Sequence, residues 1–243
     1  MRLLVKQSRW WILILGMVST TMLYAQDIYT YIPTKAYIYA PMLAKEQQRL
    51  WSTHSRPELL AGLAETESCI SLKHRRCWDP SSKLDSKREL GIGIPQITKA
   101  FREDGSVRFD SLKDIRTIHM TELKELSWQN VEHRPDLQLR ILILMNRDNY
   151  QRLSMMTDTL VRLAMVDAAY NGGLKGLHND RRACQMKKNC DSLQWFGHVE
   201  STCTKSRKPL YSGKSACDIN RYHVNRVINV SSHKYQSFFK ITD

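Results

Sequence analysis

The cysteines constrain this chain more than any other feature. Cys69, Cys77, Cys184, Cys190, Cys203 and Cys217 fall in three close pairs, each flanking a short polar loop. They follow an N-terminal stretch with the pattern of an export signal. Arg2, Lys6 and Arg9 precede a charge-free run from Trp10 to Gln26, which holds Ile12, Leu13, Ile14, Leu15, Met17 and Val18. Leu23-Tyr24-Ala25 and the acidic Asp27 come next. A basic start, a short apolar core and a small residue ahead of a polar one make a secretory signal, so residues 1–25 are expected to be cleaved after Ala25. The rival is an uncleaved membrane anchor, because about 17 uncharged residues lie at the lower edge of a bilayer span. Ser19, Thr20 and Thr21 make the second half of the run too polar for a strong anchor. Either way the domain lies outside the cytoplasm, in the periplasm or cell envelope, where paired cysteines oxidise. Among the pairings open to six cysteines, the local scheme 69–77, 184–190 and 203–217 is expected. A metal site would have to recruit His178 or His198 around Cys184 and Cys190, whose spacing lacks the tight knuckle of zinc sites. No metal and no cofactor are expected.

The length of 243 residues suits one well-buried domain, and 42% apolar with 25% charged residues excludes general disorder. Net charge is +13, and removing the segment through Ala25 takes away three bases and no acids, leaving +10. Such a surface favours an anionic polymer. An exported protein rarely meets nucleic acid, and no recognised nucleic-acid motif is present. The cell wall and its anionic neighbours fit the compartment better, although plain solubility explains much of the charge as well.

Residues 26–41 are rich in tyrosine and hold Pro33 and Pro41, which reads as an extended arm. A first helix is expected from about Met42 to Trp51, so that 26–54 form an N-terminal arm and helix ahead of a domain over 55–235. The next helix starts near Ser55, where Ser55 and Glu58 make a capping-box pattern and Pro57 suits the first turn. Asp79 to Glu89 reads as a loop. Gly91-Ile92-Gly93-Ile94-Pro95-Gln96 reads as a tight turn feeding a short helix toward Phe101, and Asp104-Gly105 centres another turn. Short helices follow over Ser111–Arg116 and Thr121–Leu126. Pro135 opens a long helix to about Arg152 whose run Ile141-Leu142-Ile143-Leu144-Met145 is apolar on all sides, which places it in the middle of the domain. A further helix from Asp158 to about Tyr170 stops at Asn171-Gly172-Gly173. Strand signals are scarce. The expected fold class is mainly α, a single globular domain with disulfides.

In the helix near Ser55, Leu59, Leu60, Leu63 and Ala64 form one buried stripe. Glu67 lies four residues after Leu63 and continues that face, while Glu65 falls about 200° away on the expected wet side. A carboxyl buried without a cationic partner keeps its proton toward neutral pH, as a general acid acting on a glycosidic oxygen requires. The plain alternative is a helix-end acid paired with Lys73 or Arg76.

Leu60-Ala61-Gly62-Leu63-Ala64-Glu65-Thr66-Glu67-Ser68 resembles the helix ending in Glu-Ser of the soluble lytic transglycosylases. Gly93-Ile94-Pro95-Gln96 is similar to that family's Gly-Leu-Met-Gln turn, and Ala168-Ala169-Tyr170-Asn171-Gly172-Gly173 to its Ala-Tyr-Asn-Ala-Gly motif. Asn220-Arg221-Tyr222-His223-Val224 loosely resembles its Tyr-Val helix. The motifs stand in the family's order over roughly 55–230.

The resemblance implies a lysozyme-like domain and a peptidoglycan lytic transglycosylase, which cleaves between N-acetylmuramic acid and N-acetylglucosamine and leaves 1,6-anhydro ends. Glu67 would be its single acid and base. Gly93 and the preceding Gly91 would let a sugar come close, and Gln96 would offer donor and acceptor to it. Tyr170 would stand beside Glu67, Asn171 would lock its turn or bind an acetamido group, and Tyr222 would supply a hydroxyl or a stacking wall. A serine ahead of the turn is expected to face the site. Ser86 sits nearest, one residue out of register, and Glu89 is a further polar candidate. Pro95 departs from the family by removing a backbone donor. The partner implied is the peptidoglycan glycan strand, with membrane association through the N-terminal segment if it stays attached. The rivals are a hydrolytic muramidase on the same fold, a non-catalytic wall-binding domain and a basic nucleic-acid binder.

Overall fold

The computed structural model describes residues 28–240; the signal or anchor expected over 1–25 lies outside them. The described chain is mainly helical. Its principal helices are α1 (Ala36–Trp51), α2 (Glu58–Ser68), α3 (Ser111–Ile118), α4 (Met120–Leu123), α5 (Pro135–Arg152), α6 (Thr159–Gly172), α7 (Leu174–Gln185) and α8 (Ala216–Asn225). A π-helical turn over Arg226–Ser231 and a 3-10 stretch over His233–Phe239 follow. Among the described residues no helix is long and apolar enough to cross a membrane.

α5 organises the body, as its all-round apolar run predicts. Leu139, Leu142 and Ile143 join the large core shared by α1, α2, α6 and the C-terminal turns. Leu137, Ile141 and Leu144 join a second, smaller core with Ile92, Ile97, Leu112 and Leu123. Pro135 stands at its first turn, where a missing N–H costs nothing. Asp158 caps α6 by accepting from Val161 N at 2.9 Å, and Gly173, with φ of 76°, ends it.

The second core is covered by an antiparallel sheet of β1 (Lys83–Asp85), β2 (Glu89–Ile92), β3 (Ile97–Phe101) and β4 (Val107–Asp110), in that order. This corrects two expectations: the loop over Asp79–Glu89 contains β1, and the helix toward Phe101 is β3. Gly91 pairs with Thr98 and Ile92 with Ile97, so Gly93–Gln96 is the bend of a hairpin. The turn at Asp104-Gly105 lies between β3 and β4, as expected.

Two helix starts also differ. α1 begins at Ala36 and carries Pro41 inside it. Ala36, Ala40, Leu43, Gln47 and Trp51 are buried at helical spacing, whereas Pro41 is exposed; the N–H it lacks is lost on the wet side, where water can satisfy the carbonyl left over. α1 therefore belongs to the core rather than to an arm. α2 begins at Glu58 after Pro57 without a side-chain cap, and Glu58 accepts instead from Arg56 Nε at 2.5 Å.

The three disulfides are Cys69–Cys77, Cys184–Cys190 and Cys203–Cys217, the pairing expected from the sequence. They indicate an oxidising, exported environment. With Cys184 and Cys190 joined, the alternative metal site falls away; His198 Nδ1 accepts from Asp191 N at 3.0 Å.

Candidate functional site

α2 is buried over nearly its whole circumference, because the π-helical turn and the 3-10 stretch pack against it. The expected wet side for Glu65 is thus absent. Glu65 is fully buried; its carboxylate accepts from Tyr235 OH at 2.6 Å and from Lys234 Nζ at 2.8 Å, with Arg226 at 3.5 Å. Helical phase alone could not reveal this, since Lys234 and Tyr235 lie 169 and 170 residues downstream of Glu65.

Glu67, near the C-terminal end of α2, keeps 15% of its side chain exposed. It has a partner that the sequence reading did not name. Glu67 Oε1 lies 2.9 Å from His223 Nε2, and His223 Nδ1 lies 2.8 Å from Asp167 Oδ2. His223 comes from α8 and Asp167 from α6, and both are buried. Burial alone would lower the histidine's affinity for its proton, but the carboxylates of Asp167 and Glu67 outweigh it and push the pKa up to about 10. His223 is therefore an imidazolium at neutral pH, donating to both acids. The expectation of a carboxyl without a cationic neighbour is corrected accordingly: the cation is neither Lys73 nor Arg76 but an internal histidine, so burial without a cation no longer supports an acid role for Glu67.

Tyr170 follows Asp167 by three residues on α6 and so shares its face. Its hydroxyl donates to Pro95 O at 2.8 Å, tying α6 to the hairpin bend. Its pKa is raised well above the usual phenol value, first by burial and then by the charges of Glu67 and Asp167. Tyr170 is thus joined to the bend, with Glu67 close enough for its charge to act on the phenol.

The bend itself is built from the inside. Gly93 has φ of 82°, and a Cβ there would stand 2.2 Å from Gln138 Oε1. Gln138, fully buried on α5, accepts from Ile94 N at 2.9 Å and donates to Pro80 O at 2.9 Å and Val131 O at 2.6 Å. The close approach permitted at Gly93 is therefore used by the protein's own glutamine. Likewise a Cβ at Gly91 would stand 2.8 Å from Gln96 Oε1. Gln96 Nε2 donates to Gly93 O at 2.8 Å, so its amide donor serves the bend.

Asn171 Oδ1 accepts from Asn220 Nδ2 at 3.0 Å, and Asn220 also donates to Ala168 O at 3.0 Å; Asn171 locks the end of α6 to α8. Tyr222 is 48% exposed, with Lys214 Nζ 4.2 Å from its ring centroid. It lines an open groove together with Thr66, Ile70, Lys73 and Arg226. Ser86 is not brought to the site. It lies in the β1–β2 turn, at the opposite end of β2 from the bend, where its hydroxyl donates to Glu89 O at 3.1 Å. Glu89 opens β2 at that same far end.

Sequence signals for the missed pair existed. Asp167 is an acid inside the apolar run of α6, and His223 stands next to Tyr222 in Asn220-Arg221-Tyr222-His223-Val224. Among the described residues no group of His, Cys, Asp and Glu side chains is arranged to hold a metal ion. The chain matches no protein-family model, and no curated protein or solved structure is significantly similar to it.

Proposed function

We propose that the protein is an exported peptidoglycan lytic transglycosylase with a lysozyme-like helical domain and Glu67 as its acid and base. One observation carries this reading. A largely buried carboxyl at the end of a core helix lies within electrostatic reach of a tyrosine whose hydroxyl bonds to a hairpin bend, Glu67, Tyr170 and Pro95 coming from three separate parts of the chain. The surface charge suits an anionic polymer such as the cell wall.

In the reaction, protonated Glu67 gives its proton to the oxygen between N-acetylmuramic acid and N-acetylglucosamine. The bond from the muramic C1 to that oxygen breaks, and its electron pair leaves with the glucosamine hydroxyl. The substrate's acetamido group supports the positive charge at C1. Glu67, now a carboxylate, takes the proton of the 6-hydroxyl as O6 bonds to C1 and closes the anhydro ring. Water-using glycosidases place two carboxyls on opposite sides of the scissile bond. Asp167, the acid linked to Glu67, stands buried behind His223 and cannot flank a bound sugar, which favours the one-acid route over a hydrolytic muramidase.

Purified protein lacking residues 1–25 is incubated with peptidoglycan, and the products are analysed by mass spectrometry beside the Glu67→Gln variant. Anhydro ends from the wild type and none from the variant are expected. Reducing ends heavier by one water would identify a hydrolase, and intact binding without cleavage a wall-binding domain.

A further inference from the structure

Within the glycan-cleaving reading, we infer that His223, held by Asp167, is a positioning residue that fixes one oxygen of Glu67 and leaves the other to exchange protons with the substrate. The geometry is directional. His223 Nε2 engages Oε1 of Glu67, and among the described residues no other side chain hydrogen-bonds that carboxyl. The imidazole is itself held from behind, since its Nδ1 is bound by Asp167 on a different helix. A ring bonded at both nitrogens cannot turn, so the carboxyl it meets is held too.

The charge matters as much as the angle. When Glu67 Oε2 gives its proton to the glycosidic oxygen, a negative charge appears on a carboxyl already facing an imidazolium. An oriented cation aimed at developing charge stabilises that step without reorganisation. The proton count is unchanged on the histidine: it keeps both ring protons while Oε2 loses one to the leaving sugar and regains one from the 6-hydroxyl. Asp167 makes this arrangement possible, because burial by itself would strip the histidine of its charge. The other titratable groups nearby do not compete. Tyr170 stays a phenol and is engaged with Pro95, while Arg226 and Lys234 are held by Glu65 on another side of α2. His54, which lines a small cavity shared with Asp167, is neutral, burial having lowered its pKa to about 3.

His223→Gln retains a side-chain donor and removes the charge. Asp167→Asn leaves the histidine in place and removes what keeps it charged. The rate of anhydro-end release is followed from pH 4 to 9 for both variants and the wild type, with thermal melts to identify folded protein. Nitrogen-15 NMR of the histidine rings is recorded over the same range. Each variant is expected to lose roughly tenfold or more of the maximal rate, and the alkaline limb of its rate profile should move to higher pH. In the wild type the His223 ring should stay doubly protonated past pH 8, and in Asp167→Asn it should titrate at lower pH. Unmoved rate profiles in folded variants, or a neutral His223 ring at pH 7 in the wild type, would overturn the inference. If neither variant folds, the wild-type ring titration alone decides it in the same two directions. A wild type that makes no anhydro ends, with Glu67→Gln indistinguishable from it, counts instead against the reading of the activity.

Discussion

Glu65 and Glu67 stand two residues apart on one helix and meet opposite surroundings: Glu65 is sealed against Lys234 and Tyr235, while Glu67 ends between an internal imidazolium and the exterior. Removing one partner of a buried charge pair typically costs about 3–5 kcal/mol. Glu65→Ala should therefore lower the melting temperature by roughly 6 °C or more, since about 2–4 °C is lost per kcal/mol in a chain of this size. Glu67→Gln, which still offers an oxygen to His223, should melt close to the wild type. Differential scanning calorimetry of the two variants tests the contrast; equal melting temperatures would count against distinct roles.

Gly93→Ala should distort the bend. The substitution meets Gln138 and adopts a left-handed backbone, which costs a residue with a Cβ about 1–2 kcal/mol before any clash. Denaturant unfolding should show at least that loss, and cleavage should weaken because the carbonyl of Pro95 shifts from Tyr170. An Ala variant as stable and active as the wild type would contradict the packing described.

Two buried histidines should bracket the pH range of stability. For His223 the folded pKa of about 10 lies above the unfolded value near 6.5. Its contribution is full below about 6.5, declines from there and is gone above about 10. For His54 the folded pKa of about 3 lies below the unfolded value, so stability is lost as pH falls from about 6.5 toward 3. Melting temperature should peak between the two slopes. His54→Asn should flatten the acid side and His223→Gln the alkaline side, and unchanged slopes in melts across pH 4 to 10 would dismiss this account.

The Cys69–Cys77 disulfide closes the loop that follows Glu67. Ser68 Oγ, one residue past Glu67, accepts from Trp78 N at 2.9 Å, so the loop's two ends are joined twice. Replacing both cysteines by serine should cost about 2–3 kcal/mol for a loop this short and should reduce cleavage. The same change at Cys184 and Cys190, on the far end of α7, should cost comparable stability with less effect on activity. Comparing residual activity of the two double variants at a temperature where both are folded provides the check.

Elements that carry their own punctuation were legible in the sequence. α5 has Pro135 at its start and an apolar run on all sides, and α6 has Asp158 before it and Gly173 after it. The cysteines paired locally, as their spacing suggested. The sheet was hidden because β1 is three exposed residues and β4 is mostly exposed, so neither shows a buried alternation. Pro33 and Pro41 hid the start of α1, although its buried stripe was present in the sequence. At the site, Glu67, Tyr170 and the bend were each visible as local motifs. The His223–Asp167 pair was not, because it exists only where α6 and α8 cross, and Glu65 was misjudged because its cover comes from the distant C-terminal segment.

Gln138 gives the hairpin bend its address from α5, whereas the strands beyond it contribute length. The outer hairpin formed by β3 and β4 can accordingly vary at the exposed residues around Asp104 without displacing the bend, although Gly105, with φ of 80°, holds a backbone that any side chain would strain. Diversity among chains of this architecture is then cheap at that extremity and costly at one glutamine, so a graft of a foreign hairpin should succeed or fail according to whether the host helix supplies that amide.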